Sequence, residues 1–227
     1  MFERPVDYPC AIADQTDEGM YAALDWVLER KKDNEEVTLW VVQKRILGNN
    51  EFLKELSRYE GRGLKIVVKD PIYQANGPVL SMYPDIKNLS YSTGARGITA
   101  LAVVQWADKL DTWAHEVNAE VIHTFESESD RFSIYYEEEP ELTPEIIQGL
   151  KHITSAINHN NTIAASGYDK DSTIRVLLQL KDDGHELPPN RMAEWAIANG
   201  WLRDNPKELI NWVRKINSGI RPRISRY

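Results

Sequence analysis

The sequence ITALAVVQW at residues 98–106 decides the fold of this chain. It is the longest nearly unbroken apolar run, and Val, Ile and Leu supply much of it. A run this short and of this composition is typical of a strand buried on both faces, as in a parallel sheet covered by helices. An amphipathic segment at 108–117 and a second apolar run at 119–125 follow directly. The sequence therefore predicts a strand, a helix and another strand in succession.

Upstream of this run, helical and strand patterns alternate in the same way. A helical period over 20–32 ends in three basic residues, which suit the carboxyl end of a helix dipole. The apolar runs at 37–43 and 64–69 predict buried strands, and Asn50 is placed to cap a helix over 51–59. Crossover connections of this kind are almost always right-handed and produce a parallel sheet with helices on its faces.

Within a longer connection at 70–97, Pro78 follows Gly77 and Pro84 follows Tyr83. Proline is favoured in the first turn of a helix, so Pro78 and Pro84 predict short helices at 78–82 and 84–89. The resulting fold class is α/β: a small, doubly wound, mainly parallel sheet. We expect this Rossmann-like domain to occupy residues 1–141.

Residues 142–227 differ in character, because every apolar period in them is helical. An acidic stretch with an alternating edge-strand pattern at 132–136 precedes them, and we place the domain boundary near 137–143. Thr143 and Pro144 are typical of a helix start. The predicted helices run from 143 to about 158, over 172–181, from 189 to 200 and over 207–217. Joined by tight Gly and Pro connections, they form a module with the dimensions of a helix-turn-helix unit.

Composition excludes several classes of protein. Cys10 is the only cysteine, so an internal disulfide and a multi-cysteine zinc site are both impossible, and a reducing compartment is the natural setting. We interpret Cys10 as a small buried residue on an early strand, with a nucleophilic thiol as the alternative. No signal-peptide pattern opens the sequence, and no apolar stretch approaches the roughly 18 residues that span a bilayer. These patterns predict a cytoplasmic protein without membrane segments.

Charge is spread unevenly along the chain, whose formal net charge is −8. Residues 142–227 contain 12 basic and 9 acidic side chains, a net charge of +3, whereas the preceding residues are strongly acidic. A basic end on an acidic body is able to contact nucleic acid locally. A solubilising tail or an oligomer contact is the alternative interpretation. The candidate nucleic-acid-binding residues are Arg203, Lys207, Arg214, Lys215, Arg221, Arg223 and Arg226.

A second candidate site lies at the carboxyl ends of the strands, where open parallel sheets bind their ligands. Basic residues beside the start of the 51–59 helix would favour an anion, since exposed backbone N–H groups and the helix dipole act in the same sense. A polar loop that merely caps a helix is the alternative. The candidate ligand-binding residues are Lys44, Arg45, Asn49, Asn50, Lys69, Asp70, Gln105 and Asp108.

Motifs for several common chemistries are missing from the sequence. The glycines at 61–63 and 94–97 match neither a dinucleotide fingerprint nor a P-loop, and no G-x-S-x-G element offers a serine nucleophile. The five histidines lack metal-ligand spacing, and three carboxylates at strand ends are ordinary for an acidic α/β chain. We therefore predict no cofactor and no metal, and the catalytic residues stay unassigned.

Two resemblances accompany these patterns. The segment AEWAIANGW at 193–201 resembles an element of the DNA-binding domain of actinobacterial nucleoid-associated silencer proteins, which implies DNA contact by this module. The basic minor-groove loop of that family has no clear counterpart here. More broadly, GPVLSMYPDIKNL followed by ITALAVVQW, together with SAINHNNT and AEWAIANGW, resembles a group of uncharacterised actinobacterial proteins. That resemblance brings no activity.

Two functional hypotheses follow. The first is a cytoplasmic, non-catalytic two-domain protein with a binding or regulatory role, which contacts nucleic acid through its basic helical module. The alternative is an enzyme that acts on a nucleotide-like or phosphorylated substrate at the carboxyl edge of the sheet. Whether the chain is an enzyme stays open at this point, with the balance toward a binding protein. A homodimer is a plausible assembly, because two-fold dimers are common.

Overall fold

The computed structural model describes residues 6–106, 109–124, 139–157, 162–163 and 167–224. The chain divides into two compact units, one spanning Val6–Tyr136 and the other containing Glu137–Tyr227. The predicted edge strand at 132–136 and most of the acidic stretch around it lie outside the described residues.

The first unit is built on a six-stranded sheet in which every pair of neighbouring strands is parallel. The strand order is β3-β2-β4-β5-β1-β6. The strands are β1 (Cys10–Ala13), β2 (Val37–Val41), β3 (Leu64–Val68), β4 (Gln74–Met82), β5 (Arg96–Val104) and β6 (Glu120–Val121). This confirms the α/β class and the parallel sheet. Most of the apolar run at 98–106 lies in β5, near the centre of the sheet, and the last five residues of β5 are buried.

Helices lie on both faces of the sheet. They are α1 (Asp17–Arg30), α2 (Ile46–Asn49), α3 (Glu51–Leu56), α4 (Ile86–Thr93) and α5 (Asp111–Glu116). Leu80 and Met82 of β4 belong to the apolar core formed with α1 and α3. Ser81 lies between them in the strand, and its hydroxyl is 3.0 Å from that of Ser92 in α4. Because successive strand residues face opposite sides, α4 packs on the other face, as a doubly wound fold requires.

The predicted short helix at 78–82 is wrong, because these residues end the nine-residue strand β4. Pro78 lacks an N–H and normally disfavours an inner strand. Here it lies where the pairing of β4 with β5 shifts register between Gly77 and Val79, so the irregularity accommodates the missing donor. The second predicted helix exists as α4, but it begins at Ile86, with the Asp85 side chain capping it.

Other boundaries differ only locally. Cys10 is buried at the start of β1, as expected. Asn50 caps α3 by accepting a hydrogen bond from the backbone N–H of Leu53, also as predicted. The run at 119–125 contributes only the two-residue strand β6, which pairs with β1.

All the regular secondary structure in the described residues of the second unit is α-helical. Its helices are α6 (Pro144–Ala156), α7 (Tyr168–Asp182), α8 (Pro189–Ala198) and α9 (Asn205–Asn217). Thr143 caps α6 as predicted, whereas α7 begins four residues before the expected Ser172. The core contains the fully buried Trp201, whose indole N–H donates to the Thr154 hydroxyl at 2.9 Å. No helix in the described part of the chain is both long enough and apolar enough to cross a membrane.

Candidate functional site

Three polar residues lie side by side at the carboxyl edge of the sheet, where β5, β1 and β6 end. The Gln105 N–H donates to the Ala13 carbonyl at 2.9 Å, and the Asp14 N–H donates to the His123 carbonyl at 3.2 Å. These bonds continue the β5–β1 and β1–β6 ladders beyond the last strand residues. Neighbouring strands are about 4.8 Å apart, so Gln105, Asp14 and His123 occupy adjacent positions at one level.

Asp14 is the buried member of this group, with no exposed surface. One carboxylate oxygen accepts hydrogen bonds from the backbone N–H and the hydroxyl of Thr16. The other oxygen lies 3.0 Å from Nδ1 of His123. An ionised carboxylate only accepts hydrogen bonds, so Nδ1 of the imidazole must be the donor. In the neutral ring Nε2 then carries the lone pair, which is the arrangement of a general base oriented by a carboxylate.

The His123 ring is accessible while its partner is buried. Its side chain is 32% exposed, and among the described residues only Asp14 hydrogen-bonds to the ring. The buried carboxylate fixes the ring orientation from one side, and solvent or a ligand has access from the other. This combination distinguishes the pair from a surface ion pair.

The first turn of α1 packs closely against Asp14. Thr16 caps the helix, and its hydroxyl accepts the N–H of Gly19 at 3.0 Å. A Cβ atom on Gly19 would lie 2.3 Å from Oδ1 and 2.5 Å from the carbonyl oxygen of Asp14. Glycine therefore allows the first turn of α1 to approach the carboxylate closely.

Two aromatic side chains continue this edge toward the centre of the sheet. Tyr83, after β4, has a left-handed backbone with φ of 57°, and burial, assisted by the negative charge of Asp17, raises its pKa to about 12. Its ring packs at 5.6 Å and 59° against Trp106, which follows β5. Trp106 is 61% exposed and presents a broad aromatic surface.

Two amide oxygens beside Asp14 are buried and have no hydrogen-bond partner in the described part of the chain. They are Oε1 of Gln15 and Oε1 of Gln105. A buried acceptor left unpaired costs about 1–3 kcal/mol.

The predicted ligand-binding residues are divided between two places. Lys44, Arg45 and Asn49 are exposed on the segment that follows β2, and Lys69 and Asp70 are exposed after the neighbouring β3. Gln105 lies two strands from β2, in the group with Asp14. Asp108 lies outside the described residues.

Asn50 already has partners in the fold. Besides capping α3, its Nδ2 lies 3.5 Å from the Tyr83 hydroxyl and 3.6 Å from the sulfur of Met20. The Tyr83 hydroxyl lies 2.9 Å from the same sulfur. Asn50 thus connects the loop after β2 to the aromatic part of the edge, and its amide is engaged in structural contacts.

Some of the candidate nucleic-acid-binding side chains already form hydrogen bonds within the helical unit. Arg221 forms two hydrogen bonds with the Asp182 carboxylate, and Arg214 donates to Oδ1 of Asn190 at 3.3 Å. Lys207 and Arg223 are exposed, Arg203 has a left-handed backbone between α8 and α9, and Arg226 lies outside the described residues.

Lys170 of α7 and Lys215 of α9 lie close to the ring of Trp212, and we call these three residues the cationic aromatic cluster. The ammonium groups of Lys215 and Lys170 lie 4.4 Å and 5.3 Å from the ring centroid of Trp212. Trp212 is partly buried against the helical core. The cluster therefore combines two cations with one indole ring.

Glu139 stabilises the start of α8. Its carboxylate accepts the backbone N–H groups of Asn190, at 2.8 Å, and Arg191, at 3.1 Å. Burial raises the pKa of Glu139, and these two hydrogen bonds and the nearby arginines oppose that shift. In the described residues, no group of three or more His, Cys, Asp or Glu side chains is arranged to hold a metal ion.

Comparison with known proteins gives a match in the helical part of the chain. Residues 142–227, which include α6 to α9, match the family model described as a domain of unknown function, DUF1889. That description assigns no activity and names no nucleic acid. No curated protein and no solved structure matches the chain. The match carries no information about residues 1–141, where the Asp14–His123 pair lies.

Proposed function

We propose that the α/β unit is an enzyme that binds a nucleotide-like molecule at the carboxyl edge of its sheet and transfers a proton through His123. The hydrogen bond between buried Asp14 and accessible His123 carries this proposal. It favours the enzymatic alternative over a purely binding role, because a structural histidine needs neither a buried carboxylate partner nor access to solvent.

The proposed chemistry is general acid–base catalysis. Asp14 holds the proton on Nδ1, so Nε2 of neutral His123 accepts a proton from the substrate. The imidazolium that forms is stabilised by the carboxylate, and it returns the proton at a later step. Proton transfer by a positioned side chain typically contributes about 10²–10⁴-fold to a rate.

Two features support a nucleotide-like ligand. The exposed Trp106 ring offers a stacking surface for a planar base. Lys44 and Arg45 follow β2, two strand spacings or about 10 Å from the end of β5. This separation suits a phosphate attached to the base through a sugar.

Binding is tested by isothermal titration calorimetry with the four ribonucleoside monophosphates and with inorganic phosphate. We expect at least one nucleotide to bind, and Trp106→Ala to weaken it about tenfold or more, the effect of losing one stacked base. Tyr73→Ala is the matched control, because Tyr73 is 66% exposed but precedes β4 at the opposite edge. Absence of binding, or equal losses in both variants, would contradict the nucleotide assignment.

Catalysis is tested separately by following the bound nucleotide with ¹H and ³¹P NMR during incubation with the protein. We expect wild type to convert it and His123→Gln to bind with unchanged affinity but lose turnover by at least about 100-fold. His115→Gln, at a histidine whose side chain is 88% exposed, should behave as wild type. Unchanged turnover in His123→Gln would remove the acid–base role.

A second proposal concerns the helical unit, whose cationic aromatic cluster favours contact with a nucleic-acid backbone. Lys170 and Lys215 flank Trp212, and Lys207 is exposed on the same helix as Lys215. Fluorescence anisotropy with labelled duplex DNA should show binding that weakens steeply between about 50 and 200 mM salt. Lys207→Glu with Lys215→Glu should abolish it. Binding that is absent at low salt would refute this proposal and leave the α/β proposal intact.

A further inference from the structure

Side chains of α1 hold strand β6 in place beside β1. The indole N–H of Trp26 donates a hydrogen bond to Oε2 of Glu120 at 2.8 Å. Arg30 donates to the same oxygen at 3.3 Å, and its guanidinium carbon lies 3.8 Å from the centroid of the Trp26 ring. Trp26 and Arg30 are four residues apart and therefore lie on one face of α1. One carboxylate of β6 thus binds two neighbouring side chains of the helix.

The two donors have little freedom to move. Trp26 is only 5% exposed and belongs to the apolar core on this face of the sheet. The Arg30 guanidinium lies over the Trp26 ring and also donates to the Trp26 backbone carbonyl at 3.2 Å. An exposed ion pair alone contributes little to stability. A hydrogen bond from a buried indole does more, because it fixes the position that the Glu120 carboxylate must occupy.

Strand β6 depends on such contacts because it is short. Among the described strands it pairs with β1 alone, over the two residues Glu120 and Val121. Backbone hydrogen bonds continue this ladder to Ile122 and His123, and Ile122 packs partly buried against the core. Val121 is 62% exposed. A strand this short, with few buried side chains, opens locally at little cost unless other contacts secure it.

Helix α1 secures both strand ends that carry the Asp14–His123 pair. Thr16, which caps the helix, donates its backbone N–H to the Asp14 carboxylate at 3.0 Å. The last turns of the helix hold Glu120, three residues before His123. Nδ1 of His123 lies 3.0 Å from Oδ2 of Asp14, so a displacement of about 1 Å would exceed the reach of an N–H···O hydrogen bond.

We propose that Glu120 is a positioning residue for His123. Its contacts with Trp26 and Arg30 fix β6 against α1, and this keeps the imidazole within hydrogen-bond distance of Asp14. The role rests on the acid–base function proposed above, and Glu120 acts only through the position of His123. A misplacement of about 1 Å in a catalytic group can lower a rate about 100-fold, so a contact outside the reacting groups can control turnover.

Long-range ¹H–¹⁵N NMR of the His123 ring in the full chain tests this role without relying on turnover. In wild type we expect one ring species, with the proton on Nδ1. Glu120→Ala should shift the ring nitrogen signals toward those of an unrestrained histidine, in which both tautomers are populated. Trp26→Phe removes the indole N–H and leaves Glu120 in place, and it should shift the signals in the same direction. Glu120→Gln keeps an acceptor for the indole and should retain the wild-type signals.

Glu29→Ala is the matched control for the charge. Glu29 also lies near Arg30, at 3.8 Å, but it belongs to α1 and not to β6, so its removal should leave the His123 signals unchanged. Far-UV circular dichroism and urea unfolding verify that each variant folds. Unchanged His123 signals in a folded Glu120→Ala variant, or an equal shift in Glu29→Ala, would overturn the positioning role.

Turnover of the bound nucleotide gives a second readout. Glu120→Ala should lower kcat about 10- to 100-fold and leave nucleotide affinity within about twofold of wild type, because Trp106 and not His123 holds the base. An unchanged kcat in this variant would also overturn the positioning role. A wild type without any turnover would instead remove the proposed enzymatic function, and the His123 signals would still decide whether Glu120 positions the ring.

Discussion

Nδ1 of His123 lies 3.0 Å from Oδ2 of Asp14, although 109 residues separate the two in the chain. The pairing of β1 with β6 produces this contact, because it places the ends of both strands at one edge of the sheet. The buried carboxylate sets the tautomer of the accessible imidazole. Local packing and the proposed chemistry therefore depend on the same hydrogen bond.

The tautomer is a direct prediction of this geometry. Neutral His123 should carry its proton on Nδ1, which long-range ¹H–¹⁵N NMR correlations identify from the ring nitrogen shifts. Asp14→Ala should abolish this preference and cost about 1–3 kcal/mol of unfolding free energy, since the donors of Thr16 and His123 lose a buried acceptor. Urea unfolding measures that cost. A proton on Nε2 in the wild type would contradict the assignment.

Gly19 is expected to tolerate no side chain. In Gly19→Ala the new Cβ would lie 2.5 Å from the Asp14 carbonyl oxygen, so α1 or the end of β1 must shift. Such overpacking typically costs about 1–3 kcal/mol. Gly48→Ala is the matched control, because no heavy atom lies within 4 Å of a Cβ built there. Equal urea midpoints for the two variants would show that α1 moves away from Asp14 without cost.

The parallel sheet could be predicted because its strands are short apolar runs separated by helical periods. Strand β4 could not, because Gly77-Pro78 normally interrupts a strand, and the register shift that accommodates it arises only when β4 pairs with β5. Proline does disfavour an inner strand, but at this position the pairing of β4 with β5 determines the structure.

The candidate site was predicted only in part. Gln105 follows the most obvious strand and was expected at the edge. Asp14 follows the short run CAIA, a signal that was present but weak, since four residues barely define a strand. His123 follows a strand of only two residues, so its position beside Asp14 depends on long-range pairing that no local pattern encodes.

The thiol of Cys10 should be unreactive in the native protein. Its side chain is buried, and burial raises the pKa of its thiol to about 12. The reactive thiolate is therefore almost absent at pH 8. Ellman's reagent should label no thiol in the native state and one thiol per chain in concentrated urea. Rapid labelling of the native protein would support the alternative of a nucleophilic cysteine.

Arg221 and Asp182 give a prediction about pH. The hydrogen bond and positive charge of Arg221 lower the pKa of Asp182 below its ordinary value of 3.8. A depressed folded pKa contributes stability that is present above the unfolded value and is lost as pH falls through the folded value. The effect on stability should be small, because both side chains are exposed and solvent screens the pair.

The variant Arg221→Gln removes the positive charge from this ion pair and so tests its effect on Asp182. Carboxyl ¹³C NMR titration should show the pKa of Asp182 rising toward 3.8 in the variant, with Arg223→Gln as the control that leaves it unchanged.

The same pair bears on nucleic-acid contact, because a phosphate must displace Asp182 before it can bind Arg221. We therefore expect Arg221→Gln to weaken any DNA binding less than Lys215→Gln does. A larger loss from Arg221→Gln would mean that the ion pair opens on binding and that Arg221 contacts the phosphate.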